Sequence, residues 1–375
     1  MKSFFRNINL ENTKTSILFA LFLFTFVLVN SQNINHIKVH TITKDGIEKD
    51  GIEIPIAQCE NKTVETKINT YIQLNELHNI YLNNDSTLFD KVCFYDGDYH
   101  FGMRTDIFYH EHRNDELCWS FDLLETQNPY TGNYVNNYYN FNPQTGDIYL
   151  CKDFIDSSKL DSFIEFVYGE ICKQLGPEFM GDTNYYKENY PDSVTFCDIM
   201  LSRGKKYILN YYYFTENDIY FDVAPLLFKN DLLEIGGTEV SLPIDSIKQY
   251  LNDLGYKILV NKTINREPIQ RFENKLYEAE RKNGEIFYFI PYKVSMRYDS
   301  VMVFNGYAID KDGKNFTILE DGEMNKKRNE IKFRLIDEQG LNNKFFYVFL
   351  DKKEPYGKIT NVKGNTITKV KIKEY

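Results

Sequence analysis

From Glu285 to the C-terminus the chain keeps one rhythm, and that rhythm narrows the possible folds more than any other feature. Short aromatic and β-branched runs recur at Ile286 to Tyr292, Ser300 to Ile309, Asn315 to Leu319, Glu330 to Ile336, Lys344 to Leu350, Lys358 to Val362 and Thr366 to Ile372. Turn chemistry punctuates them at Asp310-Lys-Asp-Gly313, Glu320-Asp-Gly322, Gln339-Gly340 and Lys363-Gly-Asn365. Their composition and spacing are those of a small antiparallel sheet or barrel. Residues 257–375 are therefore expected to be a mostly-β domain. A linker or helix from Ile269 to Arg281, bearing Phe272, Leu276 and Ala279, would open it. The last 25 residues hold seven Lys and three acids, a net of +4. The ordinary reading is a solvated edge strand guarded by Lys; the sharper one is attachment to an anionic envelope polymer.

The other end of the chain speaks of location. Lys2, Arg6 and Lys14 precede an apolar run from Ile17 to Val29, and Val29-Asn-Ser31 presents small residues where a signal peptidase cuts. The run is short against the roughly 20 apolar residues of a spanning helix. Residues 1–31 are expected to be a cleaved signal peptide, leaving an exported protein, periplasmic or extracellular, with no stable membrane span. Cleavage removes three basic residues and Glu11, so the formal charge moves from −10 to −12. That sign excludes nucleic acid as a natural ligand and favours a basic partner.

Export also changes the meaning of Cys59, Cys93, Cys118, Cys151, Cys172 and Cys197, an even set that admits two or three disulfides among 15 pairings. Each could equally be a small apolar core residue, since Cys118 adjoins Trp119 and Cys172 adjoins Ile171. Without a CxxC, neither a zinc ribbon nor a thioredoxin-like site is expected.

Between these ends the pattern is mixed. Strands are expected at Ile37 to Ile42 and Ile52 to Ile56, then a helix from Val64 to Tyr81. A meander follows at Lys91 to Tyr95, Tyr99 to Tyr109, Glu116 to Leu124 and Tyr134 to Phe141. Asp156, Ser157 or Ser158 can cap a second helix whose Leu160, Phe163, Ile164, Val167, Ile171 and Leu175 share one face, with Gly176-Pro177 as its stop. Residues 178–192 would form a covering loop, and Val194 to Leu201 a strand. Tyr207 to Phe214 reads as one strand, Thr215 to Asp218 as a hairpin turn, and Ile219 to Val223 and Thr238 to Leu242 as its partners. Ile244, Ile247, Tyr250 and Leu251 then take helical spacing after Pro243. The expectation for residues 32–256 is an α+β domain, an antiparallel sheet with two main packing helices.

Four stretches in this order resemble a known family: Asn137-Tyr-Tyr-Asn-Phe-Asn-Pro-Gln-Thr-Gly-Asp147, Leu150 to Phe154 ahead of a helix, Tyr212 to Val223, and Val240-Ser-Leu-Pro-Ile-Asp-Ser-Ile-Lys-Gln-Tyr-Leu251. Together they are similar to the ectodomain of lysozyme-responsive anti-sigma factors (RsiV-like), a unit also found as a noncatalytic module beside some peptidoglycan deacetylases. The resemblance spans about residues 50–255. It implies an extracytoplasmic α+β domain with a binding role and supplies no catalytic residues. The chain departs from an anti-sigma factor in having only about 16 residues ahead of its apolar run and more than a hundred beyond the resembling region.

Few residues invite chemistry. No Gly-x-Ser-x-Gly, phosphate loop or His-Glu-x-x-His occurs, so no catalytic residue is assigned and no cofactor is expected. His110 and His112 would share one strand face, where His100 with Asp106 or Asp115 could complete a metal shell; an exposed polar strand end is the ordinary alternative. Asp310-Lys-Asp-Gly313 is a hairpin turn, because Asn315 stands where a calcium loop needs Gly. Tyr185, Tyr186 and Tyr190 have no core obligation and are the candidates for a binding surface. The expected function is that of an exported, noncatalytic binding protein of the cell envelope. Its partner would be a basic protein such as a lysozyme-like hydrolase, another envelope protein, or a wall-derived glycan. The alternatives are a metal-dependent hydrolase using the His-x-His strand and a structural module of a surface assembly.

Overall fold

The computed structural model describes residues 37–45, 51–78, 80, 106–127, 133–179, 205–226, 237–297, 301–337, 344–350 and 355–375. Its first sheet runs β1 (Lys38–Asp45), β2 (Gly51–Gln58), β3 (Asp106–Asn114), β4 (Trp119–Gln127) and β5 (Asn133–Phe141), in that spatial order. The period-2 alternation of β4 sends Trp119, Phe121 and Leu123 to one face, where Tyr139 and Phe141 of β5 join them. Helix α1 (Lys62–Leu77) covers that face with Val64, Ile68, Tyr71 and Ile72. Asn61 caps it, its side-chain oxygen accepting from the Thr63 and Val64 amides. The Tyr71 ring meets Phe141 edge-on at 5.7 Å. Burial of Trp119, Phe121 and Phe141 contributes roughly 1.5–3 kcal/mol each.

The opposite face of the same strands is polar yet buried, carrying Ser120, Asp122 and Asn140. A second, antiparallel sheet meets it: β6 (Tyr212–Phe214), β7 (Asp218–Asp222) and β8 (Glu239–Pro243). Ser120 Oγ bonds Asn140 Oδ1 at 2.6 Å and accepts from the Phe214 amide at 3.1 Å, while Asn140 Nδ2 donates to the Tyr212 carbonyl at 3.1 Å. Each polar group left unpaired here would cost about 1–3 kcal/mol, so these bonds fix the docking of one sheet on the other. Helix α2 (Leu160–Phe179) lays Phe163, Val167, Ile171 and Leu175 into a core with Phe221, Val240 and Leu242.

The remaining strands close on themselves. β9 (Tyr277–Arg281), β10 (Ile286–Arg297), β11 (Val301–Asp310), β12 (Phe316–Asn325), β13 (Glu330–Asp337), β14 (Lys344–Phe349), β15 (Tyr356–Asn361) and β16 (Thr366–Glu374) form an eight-stranded barrel, each antiparallel to its neighbours. Closure pairs β16 with β9, so the Lys-bearing last strand is no free edge; Lys371 faces Glu280 and Lys373 faces Glu278. Residues 36–375 form one compact unit. Leu276, Tyr288, Ile290, Ile309 and Phe316 of the barrel share a core with α1 and the first sheet.

Several expectations need correction. The sheet of the first region is mixed, because β2 and β3 run parallel through Ile52 and Ile107. The stretch Ile269 to Arg281 is no helix. Its Ile269 amide donates to Asp147, Arg271 ion-pairs with Asp153 and donates to the Ile148 carbonyl, and Glu273 pairs with Lys152. Those ties draw it out along the first region, and Tyr277-Glu-Ala-Glu-Arg281 alternates in and out as β9. Tyr207 to Phe214 divides into a 3₁₀ segment (Lys205–Asn210) and the short β6. Glu320-Asp-Gly322 is a bulge within β12, not a turn. Helix α2 continues through Gly176-Pro177 to Phe179. The expected hairpin does join β6 to β7, the Thr215 amide donating to the Asp218 carbonyl. Cys59, Cys118 and Cys151 are buried free thiols, whereas Cys172 is disulfide-bonded.

Candidate functional site

His110 and His112 do share a face of β3, and what they face is Asp122 on β4. His110 lies directly across the ladder from Asp122. Its Nδ1 is 3.3 Å from one carboxylate oxygen, and His112 Nε2 is 2.6 Å from the other. Asp122 is buried, His112 partly so, and His110 is half exposed. The His112 ring stacks on Tyr213 of β6 at 3.6 Å, with an interplanar angle of 12°. Tyr213 in turn stacks on Tyr220 and Tyr138, and its hydroxyl donates to Glu239 on β8.

A second carboxylate anchors the same seam. Asp222 of β7 accepts from the Tyr138 hydroxyl at 2.7 Å, from Asn136 Nδ2 at 3.2 Å and from the Ala224 amide at 2.9 Å. Burial, reinforced by Asp222, pushes the Tyr138 phenol well above its usual range, so it serves as a donor. Burial and then the Asp222 charge hold the Glu239 carboxyl above its usual range. Both histidines are thus spent on one carboxylate, while Tyr138 donates to Asp222 and Tyr213, stacked on His112, donates to Glu239.

The metal reading meets a specific difficulty here. Asp115 is engaged elsewhere, by Arg113 Nε at 2.7 Å and by the Leu117 and Cys118 amides. His100 lies outside the described residues. Among the described residues no group of three or more His, Cys, Asp or Glu is placed to hold a metal ion. Cysteine nucleophiles are equally ill placed: burial pushes the Cys118 thiol up to about 12 and raises Cys151 as well.

Tyr138 and Asn136 also belong to a cleft of about 480 Å³ beside β5. β5 is the last strand of its sheet, and the cleft runs between it, the C-terminal half of α1, the start of α2 and the 3₁₀ segment before β6. Its walls are rings and amides: Tyr71, Tyr139, Tyr149, Tyr211 and Tyr292 alternate with Asn75, Asn137, Asn210 and Asn274. Asn75 Nδ2 bonds the Tyr139 hydroxyl, which donates to Glu76. Asn136 Oδ1 is buried and has no hydrogen-bond partner among the described residues, while its Nδ2 donates to Tyr138 and Asp222.

Tyr185, Tyr186 and Tyr190 lie outside the described residues. The aromatic surface that the structure places in view is a different one, built from tyrosines of β5, α1 and the 3₁₀ segment. One signal for it was present: Asn136, Tyr138 and Asn140 alternate along β5, as do Ser120 and Asp122 along β4, which marks a polar face opposite the aromatic one. The partners Asp222 and Glu239 needed the tertiary register.

No family model matches this chain, and no curated protein does. Among solved structures it is similar to a crystal structure of a member of the duf3298 family from Bacteroides fragilis NCTC 9343, at 11% identity and a TM-score of 0.40, over 61% of this chain and 98% of that one.

Proposed function

We propose that this protein is an exported, noncatalytic binding protein of the cell envelope and that its cleft beside β5 receives a wall-derived glycan. The observation that carries this reading is the cleft wall of tyrosines and asparagines. Sugars offer hydroxyl and amide groups to the asparagine amides of the wall, and their apolar faces stack on aromatic rings.

Calorimetric titration with N-acetylglucosamine oligomers tests this directly. Saturable binding should weaken by roughly tenfold in Tyr211→Ala, which removes a stacking ring. Oligomers that give no saturable heat at millimolar concentration would remove the glycan reading. The resemblance to lysozyme-responsive ectodomains and the acidic charge support a second occupant, a basic lysozyme-like hydrolase. Retention on immobilised lysozyme at low salt and release at high salt would favour it, and absence of retention at low salt would end it. A metal-dependent hydrolase would instead carry stoichiometric metal after purification, and a structural module would co-purify with an envelope partner.

A further inference from the structure

The barrel contains a second site, apart from the cleft. Inward-facing positions of its strands are packed with rings at one end: Tyr277 stacks on Phe289 at 5.1 Å, and Phe289 meets Phe346 edge-on at 5.3 Å. Gly322 leaves the room that the Phe333 ring needs beside them. Towards the other end the same inward stripes run out of large side chains. There Thr317, Leu335, Ile359 and Thr368 line an open space of about 720 Å³, with the cations Arg281, Lys282 and Lys344 and the carboxylates Glu285 and Asp337 around it. A narrower extension reaches down to Phe287, Leu319 and Phe346. An eight-stranded barrel is the size at which the interior either fills with side chains or holds one small ligand. This barrel does the first at one end and leaves room for the second at the other.

The rim has a chemical bias. Arg281 is pinned by Glu285 at 2.8 Å and Asp310 at 3.2 Å, so its charge is answered within the protein. Lys344 lies across the ladder from Leu335 at the rim and has no ion-pair partner among the described residues. An apolar stretch beside an ammonium group that makes no ion pair among the described residues, with the Glu285 carboxylate already held by Arg281, matches a molecule with an apolar body and one anionic head. We infer that the open end of the barrel binds a small anionic amphiphile, an aliphatic chain carrying a carboxylate, with the chain on Leu335 and Ile359 and the head at Lys344.

The full chain should be titrated with decanoate below its aggregation concentration, followed by calorimetry. One saturable site is expected. Lys344→Glu, a surface change, should weaken it by roughly tenfold or more through charge reversal. Leu335→Trp should abolish it by filling the apolar stretch, with circular dichroism confirming the fold. Lys332→Glu, exposed on the outer wall of the same strand as Leu335, should leave binding unchanged. Absence of a saturable site, binding that survives both Lys344→Glu and Leu335→Trp, or equal affinity for decanol would overturn the inference. Glycan titrations of the same variants separate this site from the cleft, since neither substitution touches β5.

Discussion

Asp147 shows how much one buried carboxylate can organise. It lies in the turn after β5, with its side chain fully buried, and Lys67 of α1 reaches it at 2.6 Å across a helix–loop seam. Its other oxygen accepts from the Ile269 amide at 2.9 Å and the Thr145 hydroxyl at 3.1 Å. Burial alone would raise its pKa, but Lys67 and these donors outweigh it and hold the carboxyl below its ordinary value of 3.8. A depressed carboxylate contributes stability that is fully present above the unfolded value and is lost as pH falls through the folded one. Asp147→Asn strands the Lys67 ammonium in the interior and should cost about 3–5 kcal/mol at pH 7. Urea titrations should show the gap from the parent narrowing below about pH 3.8. The sequence pointed to Asn-Pro-Gln-Thr-Gly-Asp147 as a family-marking turn, yet the two partners that give Asp147 its role lie 80 and 122 residues away. The same limit applied to the seam: His110 and His112 were visible on one strand, but the carboxylate they share belongs to the next.

At the scale of elements, the barrel depends on glycines within its strands, one of which the local pattern marks as a turn. Gly306 lies in β11 beside a register shift, where its missing side chain lets the Ile290 carbonyl approach the backbone closely. A Cβ there would collide with that carbonyl oxygen and with the Pro291 backbone, neither of which can swing aside. Gly306→Ala should therefore cost about 1–3 kcal/mol in chemical denaturation, whereas Gly237→Ala, with open space around it, should stay within about 0.5 kcal/mol. Equal midpoints for the two variants would contradict this account. Gly322 plays the corresponding part in β12, which is why Glu320-Asp-Gly322 looked like the end of a strand. The turns that truly join strands were legible because their chemistry is local: at Asp310 to Gly313 the Gly313 amide donates to the Asp310 carbonyl and Gly313 takes φ +73°. The closing strand was not legible. Tyr277-Glu-Ala-Glu-Arg281 alternates correctly, but Phe272, Leu276 and Ala279 ahead of and within it also satisfy helical spacing. Only the pairing of β9 with both β10 and β16 decides between the two periods.

Across the whole molecule, the barrel and the first sheet are held to each other through α1, and His78 occupies that seam. It ends α1 with φ +50°, and its ring lies 4.7 Å from Tyr307 and 4.6 Å from Phe316 of the barrel. Burial lowers its pKa from 6.5 to about 4. Between those values the unfolded chain takes up a proton that the folded protein refuses, so stability must fall as pH drops from 6.5 towards 4. The loss attributable to this residue is up to about 3 kcal/mol. Other titrating groups act in the same range, including the raised carboxyls of Asp153 and Glu239, whose contribution has the opposite sign. The comparison with His78→Asn isolates the imidazole, because Asn tolerates the left-handed backbone and does not titrate. Trp119, the sole tryptophan, is buried in the sheet beneath α1 and reports unfolding on that side of the seam. Urea midpoints followed by its fluorescence should decline more steeply with acid in the parent than in His78→Asn between pH 6.5 and 4. Parallel pH profiles for the two proteins would show that the seam does not exclude the proton from His78.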